Sequence, residues 1–448
     1  MREGSLDAPT RHDIDWQDPD FTDPAKLDAE MRRQFDVCHT CRRCFNLCDS
    51  FPRLFDLIDE STTGELDAVP SDKLGTVVDA CTLCDMCFMT KCPYVPPHPF
   101  NIDFPHLMLR ARAADLARGK SDFTARQLSE TDRNGRLAGA VAPLANWASG
   151  ADNHLTRPAM EKITGIDRRA YLPKFHGKTF AMRAKKAPPA RDAEAPAKAR
   201  KAAIFATCFV NYNNPRIGEA LLGVLAKNGV ETEIVYPGCC GMPMLERGDL
   251  ARVAAMAKKI AAELASWLDR GFDIVAPVPS CALMMKFEWP LIVPDDPAVK
   301  RLAHATFDAV EYLVDIAKKE GLAPGLAPLP GGVTVHLACH ARAQNVGAKA
   351  AELLRLIPEA DVAVIERCSG HGGSWGVMKT NFDTALKVGA PVARQAVKND
   401  KMFVASECPL AAAHILQGME RAKGDNPVPE ESFHPIELFA RAYGVLPK

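Results

Sequence analysis

Ala203-Ile-Phe-Ala-Thr-Cys208 and Val333-Thr-Val-His-Leu-Ala-Cys339 decide how the second half of this chain is read. Each is a short apolar run that ends on a cysteine. Four more runs lead to a cysteine in the same way: Glu231 to Tyr236 before Cys239, Phe272 to Val278 before Cys281, Ala360 to Ile365 before Cys368, and Lys401 to Ala405 before Cys408. Short apolar runs of this length read as buried strands. Cys208, Cys239 and Cys281 are matched by Cys339, Cys368 and Cys408 at offsets of 131, 129 and 127, which is the mark of two copies of one unit.

Helical segments fill the intervals. Ile217, Leu221 and Leu225 share one face before the Asn228-Gly229 stop, and Leu250, Val253, Met256, Ile260, Leu264 and Trp267 line a longer amphipathic helix that ends near Gly271. Strand, helix, strand, helix, strand predicts a parallel α/β unit. Ligands in such sheets sit beyond the carboxyl ends of the strands, where the pattern has put every repeat cysteine. The expected fold is α/β: residues 202–330 and 331–448 form a pseudo-duplicated parallel domain, and a helical two-cluster ferredoxin-like domain precedes it.

Upstream, residues 183–201 (RAKKAPPARDAEAPAKARK) carry seven basic residues and three prolines and read as an exposed linker. Residues 111–182 are a helical connecting region without cysteine. Its apolar segment Leu137 to Trp147, broken by Pro143, is expected to pack as a helix against the cluster domain in preference to a membrane. Residues 1–30 hold nine acidic and three basic residues and read as an acidic tail with no secretory signal.

Residues 31–110 hold eight of the fifteen cysteines. Cys38-His-Thr-Cys41-Arg-Arg-Cys44-Phe-Asn-Leu-Cys48 is the C-x2-C-x2-C-x3-C run by which bacterial ferredoxins hold [4Fe-4S] clusters. A second run, Cys81-Thr-Leu-Cys84-Asp-Met-Cys87-Phe-Met-Thr-Lys-Cys92, repeats the first two spacings and has one residue more before its last cysteine. Three thiolates spaced by three residues wrap three irons of a cubane, and in two-cluster ferredoxins the fourth cysteine of each run crosses over. One cluster is therefore expected at Cys38, Cys41, Cys44 and Cys92, and a second at Cys81, Cys84, Cys87 and Cys48. The alternative is a pair of four-thiolate zinc sites, in which the third evenly spaced cysteine has no obvious use.

In the first repeat a cysteine, then Cys239-Cys240-Gly241, then a later cysteine resembles the cysteine-rich CCG domain of heterodisulfide reductase and of the third subunit of anaerobic glycerol-3-phosphate dehydrogenase. Paired ferredoxin runs followed by two such repeats resemble that family over most of the chain. The resemblance implies an iron-sulfur electron-transfer protein whose CCG domains, in heterodisulfide reductase, carry clusters that react with disulfides. Those five-cysteine sites end in C-x-x-C, whereas here the last position is Met284 in the first repeat and Ala411 in the second, and the doublet becomes Cys368-Ser369. The first repeat keeps Cys208, Cys239, Cys240 and Cys281, enough for one further iron-sulfur cluster. The second keeps Cys339, Cys368 and Cys408, to which His371 could add a fourth ligand as histidine does in Rieske centres.

Net charge is -1, from 55 Lys+Arg against 56 Asp+Glu, which gives no field for nucleic acid. The cysteine usage fits a reducing, cytoplasmic setting. No apolar run reaches the roughly 18 residues of a membrane span, and peripheral docking on the cytoplasmic side stays open. Gly370 to Gly376 misses the dinucleotide-binding spacing, and no P-loop is present. The expected function is an oxidoreductase subunit that passes electrons between the two clusters and the CCG-type site. The family resemblance implies its partner: a flavoprotein dehydrogenase, a rubrerythrin-like peroxidase or a quinone. The alternatives are a heterodisulfide or thiol reductase acting at the CCG-type site and a zinc-stabilised interaction protein.

Overall fold

Leu27, Met31 and Phe35 recur every fourth residue, so the helix Pro24–Cys41 presents one apolar face, and Asp23 caps its start by accepting from the Lys26 N–H at 2.9 Å. That face meets the helices Ser50–Asp59 and Phe104–Ala117 through a nest of rings: Phe35 and Phe51 stand 5.8 and 4.7 Å from Phe104. The structure is a computed structural model and describes residues 9–120 and 122–446. The chain divides into two units, the first made of Met1–Ser129, Gly241–Ala255 and Leu291–Pro294, the second of Glu130–Cys240, Met256–Pro290 and Asp295–Lys448.

The first unit is helical. Its described N-terminal stretch, which has the composition of a charged tail, is held down. Ile14 is buried and donates its N–H to the Leu291 carbonyl at 2.8 Å, and Trp16 Nε1 donates to the Ile292 carbonyl at 2.9 Å.

The second unit contains two parallel sheets. β1 (Lys201–Phe205), β2 (Glu231–Val235), β3 (Asp273–Ala276) and β4 (Thr306–Asp308) lie in the order β2-β1-β3-β4. β5 (Val333–His336), β6 (Val362–Ile365) and β7 (Phe403–Ser406) lie in the order β6-β5-β7. The first three strands of each sheet thus follow one order, with the first in the centre. Six strands fall on the six runs quoted above; β4 lies outside them, because Thr-Phe-Asp is too short for a periodic signal.

One expectation needs correction and one a refinement. Residues 183–201 are largely exposed yet held at several points: Asp192 and Ala197 donate their N–H groups to the carbonyls of Ala226 and Asn228, Arg191 Nε donates to the Gly229 carbonyl at 2.7 Å, and Ala197 is fully buried. Small alanines between the prolines let this strap lie flat. In the helices Thr131–Ala140, Ala142–Ser149 and Thr156–Thr164 the large apolar side chains Leu137, Leu144, Trp147, Leu155 and Ile163 are all more than half exposed. The inner face is made instead by small residues: a Cβ on Gly135 would stand 2.4 Å from the Tyr212 ring, and one on Gly139 3.1 Å from the His176 carbonyl. Gly135→Val should therefore lower the urea unfolding midpoint, at a cost of about 1–3 kcal/mol, whereas Leu144→Ser should stay within about 0.5 kcal/mol.

Candidate cysteine sites

The first cysteine run begins inside a helix. Cys38 and Cys41 occupy the last turn of Pro24–Cys41, which Arg42 closes in the left-handed conformation (φ 50°) with its N–H on the Cys38 carbonyl at 2.9 Å. The second run starts where the helix Gly75–Ala80 ends and turns through two left-handed residues, Leu83 and Asp85. The extra residue between Cys87 and Cys92 is taken up by one π turn, Cys87–Lys91, whose wide ring is closed by the Cys92 N–H on the Cys87 carbonyl at 2.8 Å.

These turns bring the last cysteine of the second run to the first. Burial pushes the Cys38 thiol well up, and the charges of Cys92, Cys44 and Cys41 add to it. The Cys44 thiol is pushed up to about 12 by burial and then by Cys92 and Cys41, with Lys91 and Arg43 acting against the rise. Cys92 is pushed up to about 11, again by burial first. Around Cys87, burial is followed by the charges of Cys84, Cys81, Cys44 and Cys48. The charges of Cys92, Cys44 and Cys41 thus bear on Cys38, and those of Cys44 and Cys48 of the first run bear on Cys87 of the second. Arg112 braces that run by donating to the carbonyls of Val78 (2.9 Å) and Cys81.

In the first repeat Cys208 opens a short helix after β1, Cys239 and Cys240 follow β2, and Cys281 follows β3. Because β1 lies between β2 and β3, the three loops are neighbours. Cys208 and Cys239 have their sulfurs 3.9 Å apart, and that contact, before burial, raises the Cys208 thiol. Cys240 is raised by its contacts with Cys239 and Cys281. Asp132 steadies the group: its carboxylate accepts from the Tyr236 hydroxyl and from the Cys239 N–H at 3.0 Å. The Cys240 carbonyl accepts from Trp289 Nε1 at 3.1 Å. No motif marks Asp132, which lies 107 residues from Cys239.

In the second repeat Cys339, Cys368 and Cys408 again follow β5, β6 and β7. Cys368 accepts the Gly370 N–H at 3.3 Å and faces the Arg342 guanidinium. His371 is buried against His414, with ring centroids 5.7 Å apart, and neither Nε2 has a hydrogen-bond partner. Burial, then His414, holds the His371 imidazole down to about 3, so it is neutral. Among the described residues no three Cys, His, Asp or Glu side chains form a group closed enough for a single metal ion, and no helix is long and apolar enough to cross a membrane.

Mutually repelling thiols at the carboxyl ends of a parallel sheet define a cysteine-rich α/β protein of the CCG class, and the CCG cysteine-rich domain family matches residues 202–286. The chain is 30% identical to the third subunit of the anaerobic glycerol-3-phosphate dehydrogenase of Escherichia coli K12 over 353 residues, 77% of this chain and 83% of that protein. It is 29% identical to lactate utilization protein A of Bacillus cereus B4264 over 190 residues, 40% of this chain and 76% of that protein. The chain belongs to the family of the third subunit of anaerobic glycerol-3-phosphate dehydrogenase.

The raised thiols make a chemical prediction. With Cys92 near 11 in place of the ordinary 9.0, its thiolate fraction at pH 8 falls roughly 100-fold, and that of Cys44 falls further. Iodoacetamide should label both in the metal-free chain far more slowly than glutathione at pH 8, with the rate still climbing at pH 10. Peptide mass spectrometry measures this.

Proposed function

We propose that this chain is the iron-sulfur electron-transfer subunit of an oxidoreductase, with one [4Fe-4S] cluster at Cys38, Cys41, Cys44 and Cys92, a second at Cys81, Cys84, Cys87 and Cys48, and a further cluster in the first CCG-type repeat. The observation that carries this reading is that the charge of Cys92 bears on Cys38 and Cys44 of the first run and that of Cys48 on Cys87 of the second. The donor sets fit the group: thiols that raise one another by charge are relieved when each sulfur binds a cationic iron. When bound, a cubane supplies one-electron transfer. The chain's own part is to fix the sulfurs through the π turn and the left-handed residues and to bury them.

The E. coli relative is named as a dehydrogenase subunit, which supports work beside a partner dehydrogenase, and the absence of a dinucleotide or P-loop motif agrees with an organic cofactor supplied by that partner. A flavoprotein dehydrogenase is the leading partner, ahead of a quinone or a rubrerythrin-like peroxidase, and the setting is cytoplasmic, with any membrane contact peripheral. A second reading, the heterodisulfide or thiol reductase, rests on the 3.9 Å approach of Cys208 to Cys239: this pair, with Cys240 and Cys281, would reduce a disulfide substrate to two thiols as two of its own thiols join in a disulfide. Cys339, Cys368, Cys408 and His371 are the weaker ligand set, since His371 faces His414.

Anaerobic purification should yield about eight irons and eight sulfides from the two N-terminal sets. Cys41→Ala should remove about four of each and one paramagnetic signal on reduction, leaving far-ultraviolet circular dichroism unchanged. Zinc without iron or acid-labile sulfide would overturn the reading. Disulfide reduction by the isolated, chemically reduced chain would favour the reductase.

A further inference from the structure

The described N-terminal stretch places one cation against the second cysteine run. Arg11 spans two carboxylates. Its Nη2 lies 2.7 Å from Asp85 Oδ1 and its Nη1 3.1 Å from Asp85 Oδ2, while its Nε lies 3.0 Å from Asp103 Oδ2 and its Nη2 3.3 Å from Asp103 Oδ1. The guanidinium carbon sits 4.4 Å above the centre of the Phe88 ring. The Arg11 and Asp85 side chains are 12% and 6% exposed, so this is a nearly dry pair. Flanking contacts seat the strap: Thr10 donates its N–H to the Pro96 carbonyl at 3.2 Å, and His12 Nε2 lies 2.9 Å from Asn101 Oδ1.

Each carboxylate belongs to a different thiol set. Asp85 lies between Cys84 and Cys87, holds a left-handed backbone (φ 65°), and its charge bears on Cys81. Asp103 caps the helix Phe104–Ala117, accepting from the His106 N–H at 3.2 Å, and its charge bears on Cys92. A forked guanidinium suits this double grip, because its donors lie in one plane and its charge does not titrate away.

We propose that Arg11 is a positioning residue that ties the second cysteine loop, at Asp85, to the cap of the helix Phe104–Ala117, at Asp103, and sets the potentials of the groups those carboxylates act on by offsetting both. The proposal rests on the two-cluster reading above. Its sign follows from charge: an unbalanced carboxylate disfavours the more negative, reduced cluster, so losing the guanidinium moves a potential downward.

The test is a potentiometric titration of the anaerobically purified full-length chain, followed by electron paramagnetic resonance, with iron and sulfide counted for every variant. In Arg11→Gln both N-terminal signals should shift to more negative potential. In Arg11→Lys, which keeps the charge and loses the fork, most of the shift should be absent. In Arg11→Gln with Asp85→Asn, one signal should return toward its original value while the other stays shifted, since Asp103 remains unbalanced. Full iron content in Arg11→Gln with neither potential moved overturns the proposal, as does a double variant in which both signals remain with the single one. Should Arg11→Gln lose a cubane, its recovery in the double variant supports the proposal, and failure to recover overturns it. Wild-type chain without iron would sink the cluster reading itself, which separates the two failures.

Discussion

Sulfur crowded against sulfur is the constraint around which the chain is arranged. A buried thiolate is expensive, and a second beside it more so, because each charge raises the free energy of the next in a medium that screens poorly. Cys38, Cys44 and Cys92 are all held protonated for this reason, and Cys208 and Cys240 are raised by the very neighbours that the fold presses on them. Chains do not gather such groups for stability, since an apolar set of the same volume would pack at lower cost. The arrangement becomes favourable when a cationic centre takes the protons' place, so binding and thiol ionisation are one event.

Two backbone solutions bring the sulfurs together. Near the N-terminus the thiols sit on turns, and the tight ones need left-handed residues: Arg42, Leu83 and Asp85 adopt φ between 46° and 65°, values that cost side-chain-bearing residues about 1 kcal/mol or more each. That strain is held in place by local bonds, such as the Arg42 N–H on Cys38 and the Arg11 grip on Asp85. In the repeats Thr207, just before Cys208, takes such a value (φ 51°), while Gly241 and Gly370 carry the left-handed turns after Cys240 and Cys368. A parallel sheet whose first strand is central delivers three loops side by side at one end, and Cys239 and Cys281, 31 and 73 residues beyond Cys208, meet it there.

This difference explains what could be read in advance. Strand runs ending on Cys208, Cys239 and Cys281 announce a parallel sheet because burial on both faces leaves a continuous apolar signature. The convergence of those cysteines then follows from topology alone. The bracing residues leave no such trace. Asp132 reaches Cys239 across 107 positions and Arg11 reaches Asp85 across 74, so each looks like any surface charge. The strap of residues 183–201 has the composition of a linker because basic residues, prolines and alanines make up nearly all of it, while its contact is made by main-chain N–H groups and by buried alanines such as Ala195 and Ala197, which carry no pattern. The π turn at Cys87 is visible only as an extra residue, whose accommodation depends on where Cys92 must arrive.

The two repeats share a strand order and differ in which groups they hold neutral. The first concentrates thiols whose neighbours keep one another protonated. The second buries groups that stay neutral near pH 7: His371, held down to about 3 by burial and then by His414, and Glu407, pushed up to about 8 by burial and then by the nearby charge of Asp308. Glu407 is nonetheless tied in, accepting the Ala338 N–H at 3.0 Å at the mouth of β5. The second repeat also reaches the first beside its last cysteine: His340 Nδ1 lies 2.8 Å from Ser280 Oγ, and Gln344 Nε2 donates to the Pro279 carbonyl at 3.3 Å. Those contacts grip the two residues immediately before Cys281. A well-packed neighbour whose titratable groups stay neutral fixes the Cys281 loop without adding a field that would shift the thiols further.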